Sequence, residues 1–195
     1  MNLDTQATSA GLWLPAAQFR ERHQASVAGE PSTILDVVSS LDDRDDALVR
    51  SMIRLREMPS RLWGALGGRS ALKGKPRFSL RNFTLLERSD TVLVLGLAGQ
   101  FWRLDFGLAE IPDAEGFRFF SKRGVARLVM TFLVEPCGEG EPRLITETYV
   151  HCPDAVSLVM FAPYWAIVRL SSGLIRRRML QQVQQKLRER APGNS

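Results

Sequence analysis

The sequence contains very little cysteine and histidine. Its only residues of these types are Cys137, Cys152, His23 and His151. Two thiols cannot build a disulfide framework, so we expect a reduced protein in the cytoplasm. None of these residues stand at the spacing of metal ligands, and the two histidines are far apart in the sequence. We therefore predict no metal, no other cofactor and no catalytic residue, and we leave open whether the chain is an enzyme.

Long apolar segments are also absent. No apolar run reaches the ~18–20 residues that span a bilayer, and Met1–Gly11 has neither the basic nor the apolar region of a secretory signal. A chain of 195 residues suits one domain. We predict a flexible N-terminal arm at residues 1–18, with an apolar tip at Leu12-Trp13-Leu14 that can dock. A single domain at residues 19–190 and a tail at residues 191–195 follow.

Motifs for phosphate and acyl chemistry are missing as well. Gly64, Gly67 and Gly68 lack the flanking strand and the Lys-Ser/Thr ending of a P-loop. Ser171-Ser172-Gly173 stands between two helical segments and does not form a nucleophile elbow. The net charge of +5 reflects arginines near the C-terminus that do not interleave with aromatic residues, so we predict no nucleic-acid partner.

The first part of the chain predicts one strand and two helices. Phe19–Ala28 is typical of a strand, and Pro31–Leu41 has the apolar spacing of a helix. Asp45–Glu57 predicts a second helix, which Pro59 ends. Residues 60–75 are rich in glycine and indicate a loop or a short helix.

From Phe83 onward the pattern changes to that of an antiparallel meander of about six strands. The predicted strands are Phe83–Arg88, Thr91–Arg103, Leu104–Ile111, Phe117–Phe120, Val125–Glu135 and Arg143–Cys152. The second of these is apolar on both faces, so we expect both faces to be covered.

The last two strands predict a hairpin with a defined register. Alternation predicts that Leu128, Met130 and Phe132 are buried, while Arg127 and Glu135 are exposed. Thr146 and Thr148 fall on the inward face of the returning strand. A turn within residues 136–142 then places Cys152 near residue 126, far from Cys137, which argues against a disulfide.

The final stretch, Asp154–Arg190, predicts a long helix around which the chain is organised. Its first half is apolar almost all round, which is typical of a helix covered on several sides. Its second half is amphipathic. Pro163 and Ser171-Ser172-Gly173 are each expected to bend or interrupt it.

This order of elements predicts an α+β helix-grip fold. A curved antiparallel sheet of about six to seven strands wraps the long C-terminal helix, and two short helices follow the first strand. Three segments carry a resemblance to a known family: Gly99-Gln100-Phe101-Trp102-Arg103, Glu147-Thr148-Tyr149-Val150 followed by Asp154, and Tyr164–Arg169 continuing into Ser172–Arg177. Over about Arg20 to Arg190 the sequence resembles the START-like superfamily, also called SRPBCC, and within it small bacterial proteins of unassigned function. The superfamily includes polyketide cyclases, lipid-transfer domains and pollen-allergen-type carriers.

The resemblance implies a cavity between the sheet and the long helix. The residues expected to contact a ligand there are Trp102, Met130, Phe132, Thr146, Thr148, Tyr164 and Trp165. The aromatic residues can equally be core, and the threonines can satisfy backbone groups or each other. Glu147 and Asp105 are the acids best placed to approach a cavity. Their alternatives are a solvated strand face or an ion pair with Arg103 or Arg127.

Three functions remain open at this point. The first is a non-enzymatic carrier or sensor for a small apolar or amphipathic molecule, such as a lipid or a polyketide-like compound. The second is a cyclase or dehydratase that uses the same cavity, and the third is a ligand-free protein-interaction module. A homodimer and a weak contact between the arginine-rich helix and a membrane surface also remain open.

Overall fold

A computed structural model describes residues 9–39, 82–103, 105–138, 140–166 and 169. Their elements, in chain order, are α1 (Ser9–Trp13), β1 (Phe19–Ser26), α2 (Pro31–Ser39), β2 (Thr84–Arg88), β3 (Val92–Gly99), α3 (Ala114–Phe119), β4 (Ala126–Cys137), β5 (Gly140–His151) and a C-terminal helix, α4, at residues 155–166. Three predicted features lie outside the described residues: the helix Asp45–Glu57, the stretch 60–75, and the chain beyond residue 169.

The strands form one antiparallel sheet in the order β1-β5-β4-β3-β2. The α+β class and the antiparallel sheet are therefore confirmed. The predicted six to seven strands are not, because the described residues form five. Two short segments that were expected to be strands have other structures.

Phe117–Phe120 was predicted as a strand, but this prediction is wrong, since residues 114–119 form α3. Asp113 caps the helix by accepting a hydrogen bond from the Gly116 backbone N–H at 2.7 Å. The Phe117 ring is fully buried against Gly96 of β3, where a Cβ atom would lie 2.8 Å from the ring. A short helix buries this single large side chain, whereas a strand would also have to place Phe119, which is exposed.

The predicted strand Leu104–Ile111 is also wrong, and β3 ends at Gly99 rather than at Arg103. The chain turns back after Gly99 through Phe106 and Gly107, which both have positive φ values, 58° and 44°. Among the described residues of the returning chain, an isolated bridge from Ala98 to Ala109 is the only pairing with β3. A residue such as Phe106 adopts a positive φ at a cost, so the surrounding contacts must hold this turn in place.

The sheet has two covered faces. We call the face that carries Leu93, Met130 and Val150 the inner face; α2 and α4 pack against it. The opposite, outer face carries Val94 and Val129 and is packed by α1 and α3. Since β3 contributes to both cores, the prediction that both of its faces are covered is confirmed.

The N-terminal segment docks on the outer face. Leu14 is buried there and the Trp13 ring meets the Phe117 ring edge-on, at 6.3 Å between centroids. Leu12, the first residue of the predicted apolar tip, stays exposed. The domain boundaries at residues 18 and 190 remain predictions.

The β4–β5 hairpin has the predicted register, with Arg127 opposite His151. Leu128, Met130 and Phe132 are buried on the inner face, as predicted. Arg127 and Glu135 were predicted to be exposed but are half-buried. For Arg127 the reason is α3: its guanidinium lies over the Phe117 ring and donates to the Phe117 carbonyl oxygen. Burial also lowers the pKa of Arg127 from its usual value.

The helix α4 runs through Pro163, which lies on its exposed side. Its inward side buries Ser157, Phe161 and Trp165. The opposite side was expected to be covered, yet Val156 and Val159 remain 69% and 68% exposed. No helix among the described residues is long and apolar enough to cross a membrane.

Candidate ligand-binding site

Four of the predicted site residues lie next to one another at the centre of the inner face. In the β4–β5 register, Met130 stands opposite Thr148 and Phe132 opposite Thr146. All four side chains are buried. The two hydroxyl groups are thus placed beside two apolar side chains in the middle of the layer between the sheet and the helices.

The three remaining predicted residues meet at a second place, around Phe161 of α4. Ring centroids of Trp102, Tyr164 and Trp165 lie 6.4, 5.6 and 5.9 Å from that of Phe161. Phe19 of β1 and Phe101 belong to the same aromatic cluster, at 4.9 and 6.2 Å from Phe161. Such tilted and edge-to-face pairs stabilise a core beyond the area they bury.

A compact turn holds Trp102 against α4. The Gln100 N–H donates to the Phe106 carbonyl oxygen at 2.8 Å, and the Gln100 side-chain amide donates to the Gly124 carbonyl oxygen at 2.9 Å. The Arg103 guanidinium donates two hydrogen bonds to Asp105. These hydrogen bonds hold the pKa of Asp105 below its usual value. Asp105 therefore takes the ion-pair alternative with Arg103 and stays exposed at the surface.

Asp154 fixes the start of α4. It caps the helix by accepting a hydrogen bond from the Ser157 N–H at 2.8 Å, and its other carboxylate oxygen accepts one from the Gly124 N–H at 2.6 Å. These backbone hydrogen bonds, first that from Ser157 and then that from Gly124, lower the pKa of Asp154. Because Gly124 precedes β4 and also binds Gln100, one network positions both the helix and the turn that carries Trp102.

The aromatic cluster and the central residues occupy two parts of one strip. Phe19 pairs with Val150 of β5, and Thr146 lies four residues before Val150 on the same strand. Because a strand rises ~3.3 Å per residue, Val150 and Thr146 are ~13 Å apart. The predicted site therefore consists of an apolar, aromatic end and a centre that contains hydroxyl groups.

Two functional candidates were missed by the sequence analysis: Glu21 and His23 of β1. They stand opposite Thr148 and Thr146 on the inner face. His23 Nε2 and Glu21 Oε1 are 2.8 Å apart, and their side chains are 26% and 9% exposed. A carboxylate and an imidazole thus border the two threonines. In the sequence, the apolar residues Phe19 and Ala25 are the only indication of which face of β1 points inward. That indication is weak, because residues 20–24 between them are all polar.

Glu147, the other acid predicted to approach a cavity, lies on the outer face instead. It is 5% exposed and pairs with Arg22 at 3.6 Å rather than with Arg103 or Arg127. His151 donates through Nδ1 to the Ala16 carbonyl oxygen at 3.0 Å and so anchors the segment before β1. Among the residues that the structure describes, no group of three or more His, Cys, Asp and Glu could hold a metal ion.

Cys152 lies at the end of β5 next to the Asp154 cap, and both cysteines are free thiols. Burial, and then the charge of Asp154, raises the pKa of Cys152 to about 11. Cys137, by contrast, is exposed near the hairpin turn. Since only the thiolate reacts, the two thiols must differ greatly in reactivity at neutral pH.

We therefore expect one thiol per chain to react rapidly with Ellman's reagent in the native protein, and two in denaturant. The Cys137→Ser variant should lose the rapid phase, while Cys152→Ser should keep it. Rapid reaction of both thiols in the native protein would contradict the burial of Cys152, and rapid reaction of neither would contradict the exposure of Cys137.

No protein-family model matches the chain, and no curated protein matches its sequence.

Proposed function

We propose that the chain is a START-like, non-enzymatic binding module that holds a small apolar or amphipathic molecule between the inner face of the sheet and α4. One observation carries the proposal. Thr146 and Thr148 are buried at the centre of the inner face, beside Met130 and Phe132, and the strip continues into the aromatic cluster around Phe161.

A mainly apolar wall with a few polar groups is typical of sites for small organic ligands. Burying an apolar ligand here removes its surface from water, which is worth ~25 cal/mol per Å² before the costs of ordering. A threonine hydroxyl group has one donor and two acceptor sites, so it can orient a ligand beside the contacts that it makes within the protein. The cytoplasmic location expected from the scarcity of cysteine belongs to the same proposal.

The proposal is tested with N-phenyl-1-naphthylamine, an uncharged apolar probe whose emission rises in apolar surroundings. We expect it to bind with a dissociation constant on the order of micromolar, about −8 kcal/mol, and to accept energy from Trp102 and Trp165. Native mass spectrometry of freshly purified protein should show a co-purified small molecule that the probe displaces.

The matched variants are Trp102→Ala and Trp13→Ala, because Trp102 lies against Phe161 on the inner side whereas Trp13 packs on the outer face. Trp102→Ala should weaken probe binding several-fold, and Trp13→Ala should not. Failure of the probe to bind at micromolar concentration would refute the proposed binding function. Equal effects of the two variants on probe binding would refute it as well.

An enzyme of the cyclase or dehydratase kind is the second candidate, and one observation favours it. The Glu21 carboxylate holds the His23 imidazole 2.8 Å away on the inner face, which is the arrangement of a proton-transferring pair. A protein-interaction module that pairs through β3 has less support, since β3 lies between β2 and β4 and has no free edge.

A further inference from the structure

Two large apolar side chains stand out from the outer side of the protein. Leu12 of α1 is 70% exposed, and Phe119 of α3 is 73% exposed. Both helices pack on the outer face of the sheet, where their residues Ala10, Leu14 and Phe117 lie in one core cluster. The two exposed side chains therefore belong to the elements that cover this face.

The geometry of the two helices directs Leu12 and Phe119 away from the sheet. Successive residues of an α-helix are ~100° apart around its axis, so residues two positions apart lie on nearly opposite sides. Leu12 is two residues from the buried Ala10 and Leu14, which are joined by a helical hydrogen bond of 3.0 Å. Phe119 is likewise two residues from the buried Phe117. Both side chains thus project from the same side of the protein.

A cation is held between these two apolar side chains. The Arg118 guanidinium lies over the Trp13 ring, 5.0 Å from its centroid. Trp13 follows Leu12 in the chain, and Arg118 precedes Phe119. The contact between the ring and the guanidinium therefore connects the two exposed positions.

Three further cations lie around the same place. Lys122 and Arg123 are exposed in the loop that follows α3. Arg20 is exposed on the outer face of β1 and donates a hydrogen bond to the Pro15 carbonyl oxygen, just after α1. We call the six exposed residues of this region the docking surface: Leu12, Arg20, Arg118, Phe119, Lys122 and Arg123.

Three acids lie near the docking surface. Asp113 accepts a hydrogen bond as the cap of α3, and Asp154 accepts hydrogen bonds from two backbone N–H groups as the cap of α4. Glu115 is exposed in the first turn of α3, at the end of the helix opposite to Phe119. The docking surface itself thus combines four cations with two apolar side chains.

This combination matches the surface of a bilayer that contains anionic lipids. Apolar side chains enter the boundary between headgroups and acyl chains, while lysine and arginine keep their charges among the headgroups. Each basic residue near such a surface adds to the affinity. Separate side chains that project from a broad face suit a plane better than a groove suits one peptide.

Nucleic acid fits the same surface less well. Bases stack on the faces of aromatic rings, but the Trp13 ring is already in contact with Arg118 and Phe117. Leu12, the other projecting residue besides Phe119, has no ring on which a base could stack.

The exposed side of α4 is a second apolar surface, and it differs in charge. Val156 and Val159 are exposed there, and residues 155–166 include no charged residue. This helix packs on the inner face, so it lies on the opposite side of the sheet from α1 and α3. One planar bilayer cannot contact both surfaces, and the cations described above accompany the outer one.

We propose that the docking surface binds the anionic surface of a lipid bilayer. Leu12 and Phe119 enter the headgroup region, and the four cations lie among the anionic headgroups. This proposal goes beyond the ligand of the inner face and does not depend on it.

The experiment is sedimentation of the full chain with vesicles of phosphatidylcholine alone, or of phosphatidylcholine and phosphatidylserine at a ratio of about 2:1. We expect binding to the anionic vesicles to be at least about tenfold tighter than to the neutral ones. Added salt should weaken this binding, because it screens charges at an exposed surface.

Two matched pairs of variants locate the contact. Phe119→Glu should weaken binding to the anionic vesicles at least about tenfold, whereas Val159→Glu, the same charge on the exposed side of α4, should change it less than about twofold. Leu12→Ala should weaken binding about fivefold or more, and Leu85→Ala should not. Leu85 is 54% exposed but pairs with Leu95 on the inner side of the sheet.

Four outcomes would overturn the proposal. The first two are no binding to the anionic vesicles and equal binding to both kinds of vesicle. An equal loss for Phe119→Glu and Val159→Glu would show that the docking surface is not the contact. Binding of single-stranded DNA without binding of vesicles would assign the surface to nucleic acid. Since Phe119 lies on the outer side, Phe119→Glu should leave the binding of N-phenyl-1-naphthylamine unchanged, which separates this test from that of the inner face.

Discussion

Replacing Phe161 with alanine should destabilise the protein more than any other single change that we predict. Phe161 is 1% exposed and is the centre of the aromatic cluster. The rings around it are those of Phe19, Phe101, Trp102, Tyr164 and Trp165. Truncating a buried phenylalanine costs about 3–5 kcal/mol. Since domains are stable by only about 5–15 kcal/mol, this loss should shift the urea midpoint far towards zero.

The matched control for Phe161→Ala is Val159→Ala, two residues earlier on the same helix. Val159 is 68% exposed, and substitutions at such positions usually change stability by less than about 0.5 kcal/mol. Equal urea midpoints for the two variants would show that α4 does not pack on the sheet through Phe161. The comparison therefore tests the orientation of the helix independently of any ligand.

The sequence pattern was sufficient to predict the structure of a segment where one of its faces differs strongly in polarity from the other. The hairpin of β4 and β5 has this contrast, so its register, the burial of Met130 and Phe132, and the inward orientation of Thr146 and Thr148 could be predicted. A side-chain period of two leaves only one register that buries the apolar set.

The same contrast is missing in β1, which is why Glu21 and His23 were not predicted as site residues. Residues 20–24 are polar at every position, so no alternation distinguishes the inner face from the outer one. Only the pairing of β1 with β5 shows which of these residues face inward. The polar part of the candidate site is thus a property of tertiary structure.

Two segments were assigned wrongly for related reasons. The apolar run from Val92 to Trp102 has no change of period at Gly99, so the end of β3 is not visible in the sequence. Residues 117–120 are too few to display a helical period, and phenylalanine favours strands. The signal that was available is Asp113, an N-cap residue three positions before Gly116.

Placing a methyl group at Gly96 should destabilise the protein through Phe117. A Cβ atom there would lie 2.8 Å from a ring carbon of Phe117 and 2.8 Å from Leu86 Cδ1, which is closer than real Cβ contacts allow. Extra atoms in a close-packed core typically cost about 1–3 kcal/mol. Gly96→Ala should therefore lower the urea midpoint, although alanine is a better strand residue than glycine.

The Phe117→Leu variant provides the control, because it removes the ring carbons that meet the added methyl group. In that background Gly96→Ala should cost less than in the wild-type protein, and a double-mutant cycle should show a coupling of about 0.5–3 kcal/mol. If residues 117–120 formed the strand that the sequence alone suggests, Phe117 would not be held over Gly96 by the capped helix α3. The two changes would then be additive, so strict additivity would refute the packing of α3 on the outer face.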